Sequence, residues 1–231
     1  MLTPGQHPDP DLVIYGGSFD PPHLGHQFCI STCLEFFKRT KIMVVPAKSP
    51  VSAAKSLKPV TASFSERLEM CRIAFEDELE PRVLVSSVEA EIEAPNYTLK
   101  TLRFLKQKQP NASLCFLMGE DQWDNFSKWN EPLEILQLAS IFVVRRKSDK
   151  AGLNEKLLSV CKSLGVEGLC QEKENTLAIP AFKTFIYYQD VKPILLASSE
   201  LRSSIADHGK LGRDVVSDEI KSYIFSRGLY Q

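Results

Sequence analysis

Within eleven residues, Gly16-Gly17-Ser18-Phe19-Asp20-Pro21-Pro22-His23-Leu24-Gly25-His26, the chain gathers the groups that a phosphate site needs. Two glycines let backbone approach a ligand closely. Two prolines stiffen the loop and donate no backbone hydrogen bond. Two of the chain's four histidines stand three residues apart, a spacing that sets them on one side of a first helical turn. Gly25 between them leaves room beside the backbone. A helix that begins here offers free N–H groups and a partial positive charge, both suited to phosphate. The imidazoles add donors that follow charge as it builds on phosphate oxygens. Residue by residue, the same segment also reads as a Gly/Pro turn with two surface histidines; their pairing at a strand end favours the phosphate site.

A second constellation lies near the other end, Leu196-Ala197-Ser198-Ser199-Glu200-Leu201-Arg202. Ser198 and Ser199 can cap a helix and still present N–H and hydroxyl groups to an anion. Arg202, one turn beyond Ser199, can reach the same anion with a planar fork. A capped surface helix is the plainer alternative.

The elements that must position these groups alternate along the chain. Strands are expected at Leu12–Tyr15, Lys41–Val45, Arg82–Ser87, Ser113–Met118, Ser140–Val144 and Thr184–Tyr188. Helices are expected at His26–Arg39, Ser65–Glu78, Thr98–Lys108, Glu131–Leu138, around Leu153–Ser163, and at Ser199–Ala206 and Asp218–Ser226. Apolar strands alternating with helices predict an α/β fold: a Rossmann-like, doubly wound parallel sheet with helices on both faces. A single domain over 12–231 with a small C-terminal helical extension is expected, after a polar, disordered lead-in over 1–11. In such sheets ligands bind at the carboxyl ends of strands, near the switch in strand order.

Gly16–His26 resembles the GxFxPxHxGH signature of the nucleotidyltransferase superfamily, and Leu196–Arg202 resembles its ISSTxIR motif, departing from it at Ala197 and Ser199. Over most of its length the chain is similar to the bacterial nicotinate-nucleotide adenylyltransferase family. Asn96-Tyr97-Thr98 followed by Leu99, Thr101 and Leu102 resembles that family's SYTxxTL, and Phe116–Asp121 its strand ending in GxD. Trp129, Val143–Arg146 and the Tyr223–Tyr230 ending stand in matching order. The resemblance implies joining of ATP to nicotinate mononucleotide, with Mg²⁺ accompanying ATP. It implies His23, His26 and Arg202 as catalytic residues. ATP would be bound by these three with Gly16, Gly17, Ser18, Phe19, Lys55, Gly119, Asp121, Ser198 and Ser199. Nicotinate mononucleotide would be bound by Thr98, Trp129 and Arg146.

Each middle residue has a plainer alternative. Asp121 can hold ribose hydroxyls or a metal-bound nucleotide, or cap a helix. Trp129 can stack on a pyridine ring or pack in the core. Thr98 can donate to a ring carboxylate or cap the next helix. Arg145 and Arg146 can attract that carboxylate or a phosphate, or stand as solvated charges. The family's basic loop after the second strand is altered: Pro46–Lys55 has no histidine, so Lys48 or Lys55 can supply the charge, with Lys55 slightly preferred, and both also read as solvated loop lysines.

Composition sets the outer limits. Formal net charge is −1, so no global field recruits nucleic acid or an anionic membrane. No window approaches a membrane span, and the N-terminus lacks the pattern of a signal peptide. Cys29 and Cys33 can share a helix face, but without metal-ligand spacing they read, with the other four cysteines, as free thiols in a reducing cytoplasm; no protein metal site is expected. A homo-oligomer is left open. Rival readings are transfer to nicotinamide mononucleotide or phosphopantetheine, and a nucleotide-binding sensor that has lost its chemistry.

Overall fold

The computed structural model describes residues 9–51, 60–76, 81–145, 153–190 and 215–230, with the side chains of 153–156 excepted. Its strands are β1 (Leu12–Gly17), β2 (Lys41–Pro46), β3 (Val83–Val85), β4 (Leu114–Gly119), β5 (Ala139–Arg145), β6 (Cys170–Lys173), β7 (Thr176–Ile179) and β8 (Thr184–Asp190). Its helices are α1 (Leu24–Phe36), α2 (Phe64–Phe75), α3 (Thr98–Lys108), α4 (Glu120–Asp124), α5 (Pro132–Leu138), α6 (Leu153–Ser163) and α7 (Asp218–Ser226).

All eight strands form one sheet in the order β3-β2-β1-β4-β5-β8-β7-β6. β1 to β5 and β8 run parallel, and β6 and β7 close the far edge antiparallel. Alternate residues of β1 feed opposite cores. Val13 and Tyr15 pack with residues of α1, α2 and α7, such as Ile30, Phe75 and Ile224. Leu12 and Ile14 pack with residues of α3, α4, α5 and α6, such as Leu102, Trp123 and Leu136. Helices on both faces explain why the central strands are apolar throughout. The expected single α/β domain with a C-terminal helix is therefore observed.

Several expectations change in detail. β1 runs two residues past Tyr15, because Gly16 and Gly17 pair with Val45 and Pro46. Helix α1 begins at Leu24 with His23 as its N-cap, which places His26 inside the first turn. Helix α2 starts after Ser63, whose hydroxyl accepts from the Glu66 N–H while the Glu66 carboxylate accepts from the Ser63 N–H. The β6–β7 hairpin and the short α4 were not expected. Residues 1–8 of the anticipated lead-in lie outside the described residues, but 9–11 are fastened: Asp9 accepts from the Arg39 N–H at 2.9 Å, and Asp11 from the Ser113 N–H at 2.7 Å. The helix expected at Ser199–Ala206 also lies outside them. No helix among the described residues is long and apolar enough to cross a membrane.

Candidate active site

The chain leaves β1 for β2 on one side and later enters β4 on the other, so strand order reverses beside β1. A cavity of about 440 Å³ opens at the carboxyl ends of these strands. This is the crevice that open α/β sheets use for ligands.

One wall is the Gly16–His26 segment. Gly16, Gly17, Ser18, Phe19 and His26 line the cavity. Phe19 sits in the left-handed region (φ 47°), uncommon for a bulky residue. Its buried ring meets Tyr15, Phe75 and His26 edge-on, at centroid distances of 5.4, 5.7 and 4.9 Å. Phe19 thus shapes the wall and supports His26. The Nδ1 of His26 accepts from the His23 backbone N–H at 3.2 Å. In the neutral ring the proton therefore sits on Nε2, which makes that nitrogen the donor. His23 is 3% exposed and stacks under His26 at 3.8 Å, where it supports the wall from behind. A Cβ on Gly25 would come within 2.9 Å of the His23 ring, so the stacked pair requires glycine there.

Thr98, at the start of α3, and half-buried Trp129 line the opposite wall. Thr98 is the first residue of the helix and not its cap; that place belongs to Tyr97, which makes no side-chain cap bond. Trp129 packs against Phe116 and Phe126 at 5.9 and 5.4 Å. Gly119 and Asp121 close the floor at the end of β4. Asp121 is exposed in the first turn of α4, whose N-cap is Gly119.

Lys48 is turned elsewhere: its N–H donates to Glu89 at 3.0 Å and its ammonium to the Ala90 carbonyl at 3.3 Å. Arg145 is buried and bound to Asp190, Nε to Oδ1 at 2.6 Å and Nη2 to Oδ2 at 3.0 Å. It fastens the ends of β5 and β8 and is not a solvated charge. Lys55, Arg146, Ser198, Ser199 and Arg202 lie outside the described residues. Among the described residues, no group of three or more His, Cys, Asp or Glu is placed to hold a metal ion.

Three residues that sequence reasoning passed over also shape the site. Asp20, 2% exposed, accepts from the Thr61 and Ala62 N–H groups at 2.8 and 3.1 Å and from the Tyr230 hydroxyl at 2.8 Å. Arg67, fully buried, donates to the Ser18 carbonyl at 2.7 Å and the Ala62 carbonyl at 3.1 Å. A signal for it exists: Arg67 falls on the stripe Arg67, Met70, Cys71, Ala74, Phe75, which is otherwise apolar and buried at helical spacing.

The third is Glu89, 6% exposed, which lines the cavity and accepts from Lys48 and from the Thr101 hydroxyl at 3.0 Å. Burial pushes its carboxyl up to about 7, against the pull of those two donors. Folded, it keeps a proton that the unfolded chain has lost, so its contribution is complete at acid pH and disappears as pH rises toward about 7. The span corresponds to about 3 kcal/mol. Glu89→Gln can accept from the Lys48 N–H with its oxygen and donate its amide N–H to the Thr101 hydroxyl, and it carries no titrating proton. Its melting temperature is expected to fall less than that of the parent between pH 4 and 8 (~4 units, bracketing the shift), as read by scanning calorimetry. Parallel curves for the two proteins would refute the assignment.

Comparison with known proteins gives a consistent result. The family described as cytidylyltransferase-like matches residues 14–203. A protein of Acidithiobacillus ferrooxidans described as "Probable nicotinate-nucleotide adenylyltransferase" is 32% identical over 221 residues, covering 96% of each chain. One of Aquifex aeolicus with the same description is 34% identical over 151 residues, covering 65% of this chain and 83% of its own. Among solved structures, the Plasmodium falciparum nicotinic acid mononucleotide adenylyltransferase complexed with NaAD shares the fold, with a TM-score of 0.69 at 20% identity over 95% of this chain and 96% of that one.

Proposed function

Because the chain belongs to the cytidylyltransferase-like family and, within it, to the nicotinate-nucleotide adenylyltransferases, we propose that its cavity joins ATP to nicotinate mononucleotide. The products are nicotinate adenine dinucleotide and pyrophosphate, a step of NAD biosynthesis. The observation that carries this reading is convergence. Residues 16–19, 26, 98, 119, 121 and 129, far apart in sequence, line one cavity with a histidine donor on one wall and an indole on the other.

The 5′-phosphate oxygen of nicotinate mononucleotide attacks the α-phosphorus of ATP in line. The bond from that phosphorus to the oxygen bridging the β-phosphate breaks, and pyrophosphate leaves with the electron pair. The nucleophile is already an anion, so no side chain need remove a proton. Positioning and charge neutralisation do the work. We assign the Nε2–H of His26 to the phosphates, with backbone at Gly16, Gly17 and Ser18 close beside them. Ser198, Ser199 and Arg202 act with them as the second half of the grip. Lys48 is engaged by Glu89 and Ala90, which leaves Lys55 as the loop cation.

Of the described residues lining the cavity, the carboxylates are Glu89 and Asp121. Glu89 is engaged by Lys48 and Thr101, and Asp121 is exposed. One available carboxylate fits a Mg²⁺ that arrives with ATP and keeps water ligands, and does not make a protein cage. When bound, the ion neutralises phosphate charge.

The pyridine ring is assigned to Trp129 and its carboxylate to Thr98. Helix α3 has no side-chain cap, so its amino end offers N–H donors and partial positive charge beside the Thr98 hydroxyl. That environment favours an anion over an amide. Arg146 is kept as the cation on that side. The six cysteines are free thiols, in keeping with the reducing cytoplasm to which we assign the protein.

Pyrophosphate release is measured with ATP, Mg²⁺ and, in turn, nicotinate mononucleotide, nicotinamide mononucleotide and phosphopantetheine. Nicotinate mononucleotide is expected to give the highest kcat/KM. Release with phosphopantetheine alone, or ATP binding without release, would overturn the reading in favour of another transferase or a sensor.

A further inference from the structure

We propose that Tyr230 is a positioning residue for adenylyl transfer: through Asp20 it holds the turn that presents Gly17, Ser18 and His26 to ATP. The inference rests on the functional reading above and extends it to a residue 210 positions away from Asp20 in sequence.

The turn at Phe19 is not held by its own backbone preference. Phe19 has φ 47°, and its ring buttresses His26 at 4.9 Å. Two buried groups hold the turn from outside. Arg67 draws in the Ser18 carbonyl on one side of Phe19. Asp20, on the other side, is fixed by the N–H groups of Thr61 and Ala62 and by the Tyr230 hydroxyl. Bonds from neutral donors to a buried carboxylate are charge-assisted, hence stronger and more directional than ordinary ones. Tyr230 is itself 7% exposed and belongs to the core cluster that contains Tyr15, Phe19 and Phe75. A second tie runs in parallel: the Leu24 N–H, first of α1, donates to the Val215 carbonyl at 2.8 Å. Residues 215–230 thus grip the phosphate segment at both its turn and its helix start, with Ile220 and Ile224 of α7 buried in the same core.

The wall assigned to the pyridine ring is built separately, from α3 and the chain after β4, against the other core cluster. Loosening the turn must therefore act on ATP and on the chemical step, and spare the mononucleotide. Small misplacements at a reacting centre are costly, up to about a hundredfold per ångström.

The test uses the full chain with Tyr230→Phe, Asp20→Asn and the double variant. For Tyr230→Phe, kcat is expected to fall by about tenfold and KM for ATP to rise, while KM for nicotinate mononucleotide stays within about twofold. The rise in melting temperature produced by ATP with Mg²⁺ is expected to shrink, and the rise produced by nicotinate mononucleotide to persist. The double variant is expected to lose no more than Asp20→Asn alone, because the hydroxyl acts through that carboxylate. Unchanged kcat and KM for ATP, equal losses on both substrates, or additive losses in the double variant would overturn the proposal. The ATP-induced shift is read without turnover. If the parent releases no pyrophosphate, the functional reading fails, and the shift still decides the coupling.

Discussion

His26→Ala is expected to slow pyrophosphate release by about 10²–10³-fold, the usual consequence of removing one preorganised donor from developing negative charge. The geometry gives this residue its weight. His26 is half-buried at the cavity wall, its Nδ1 is occupied by the His23 N–H, and Phe19 fixes its ring edge-on. The remaining nitrogen is thus a donor held in one orientation, which costs no reorganisation as charge builds. Folding should suffer little, because the lost bond to the His23 N–H is a capping interaction of about 1 kcal/mol. His23→Ala should behave differently. That ring is buried beneath His26 and against Gly25, so its removal opens a void and lowers the melting temperature as well as the rate. Steady-state kinetics paired with calorimetry separates the two. Turnover unchanged in His26→Ala would remove the residue from the mechanism.

That difference marks where sequence reading stops. Spacing put both histidines on one helical turn, and they do stack, but nothing in the spacing says which faces ligand. The division is a matter of tertiary burial: His23 is buried and His26 lines the cavity. The central strands were legible because burial on both faces makes LVIY, IMVV and IFVV continuously apolar. β6 was not: Cys170–Lys173 is exposed along its whole length and carries neither alternation nor a short Gly turn. Helix α4 escaped because EDQWD is five mostly charged residues in which only Trp123 is buried. Arg145 read as a cation for a ligand carboxylate or phosphate, or as a solvated charge, because its partner, Asp190, is 45 residues away. Glu89 had no signal, since a short 3-10 turn has too few residues to show a periodicity. The cavity-lining glycines, Phe19, Thr98, Asp121 and Trp129 were legible because local motifs carry them.

Arg67→Met is expected to cost about 3–5 kcal/mol, the range for removing one member of a buried charged network. Replacing a whole buried ion pair with apolar groups is often harmless, but here only the donor goes. The Ala62 carbonyl loses a charged partner in a buried place and the Ser18 carbonyl loses one at the half-buried cavity wall, and each unsatisfied buried group costs roughly 1–3 kcal/mol. Asp20 also loses a neighbouring positive charge, the guanidinium that burial pulls toward the neutral form and that the Asp20 carboxylate helps to keep ionised. Methionine fills the space and repairs none of this. For a chain of this size the melting temperature should drop by about 10 °C. Arg67→Lys should fall between the two, because an ammonium point charge cannot bond both carbonyls in the geometry of a guanidinium fork. The loss in activity should exceed the unfolded fraction, since the Ser18 carbonyl belongs to the turn that presents His26. A melting temperature within about 2 °C of the parent in Arg67→Met would mean that the carbonyls find other partners. The phosphate segment would then have to be held by Asp20 with its donors and by the Leu24–Val215 bond.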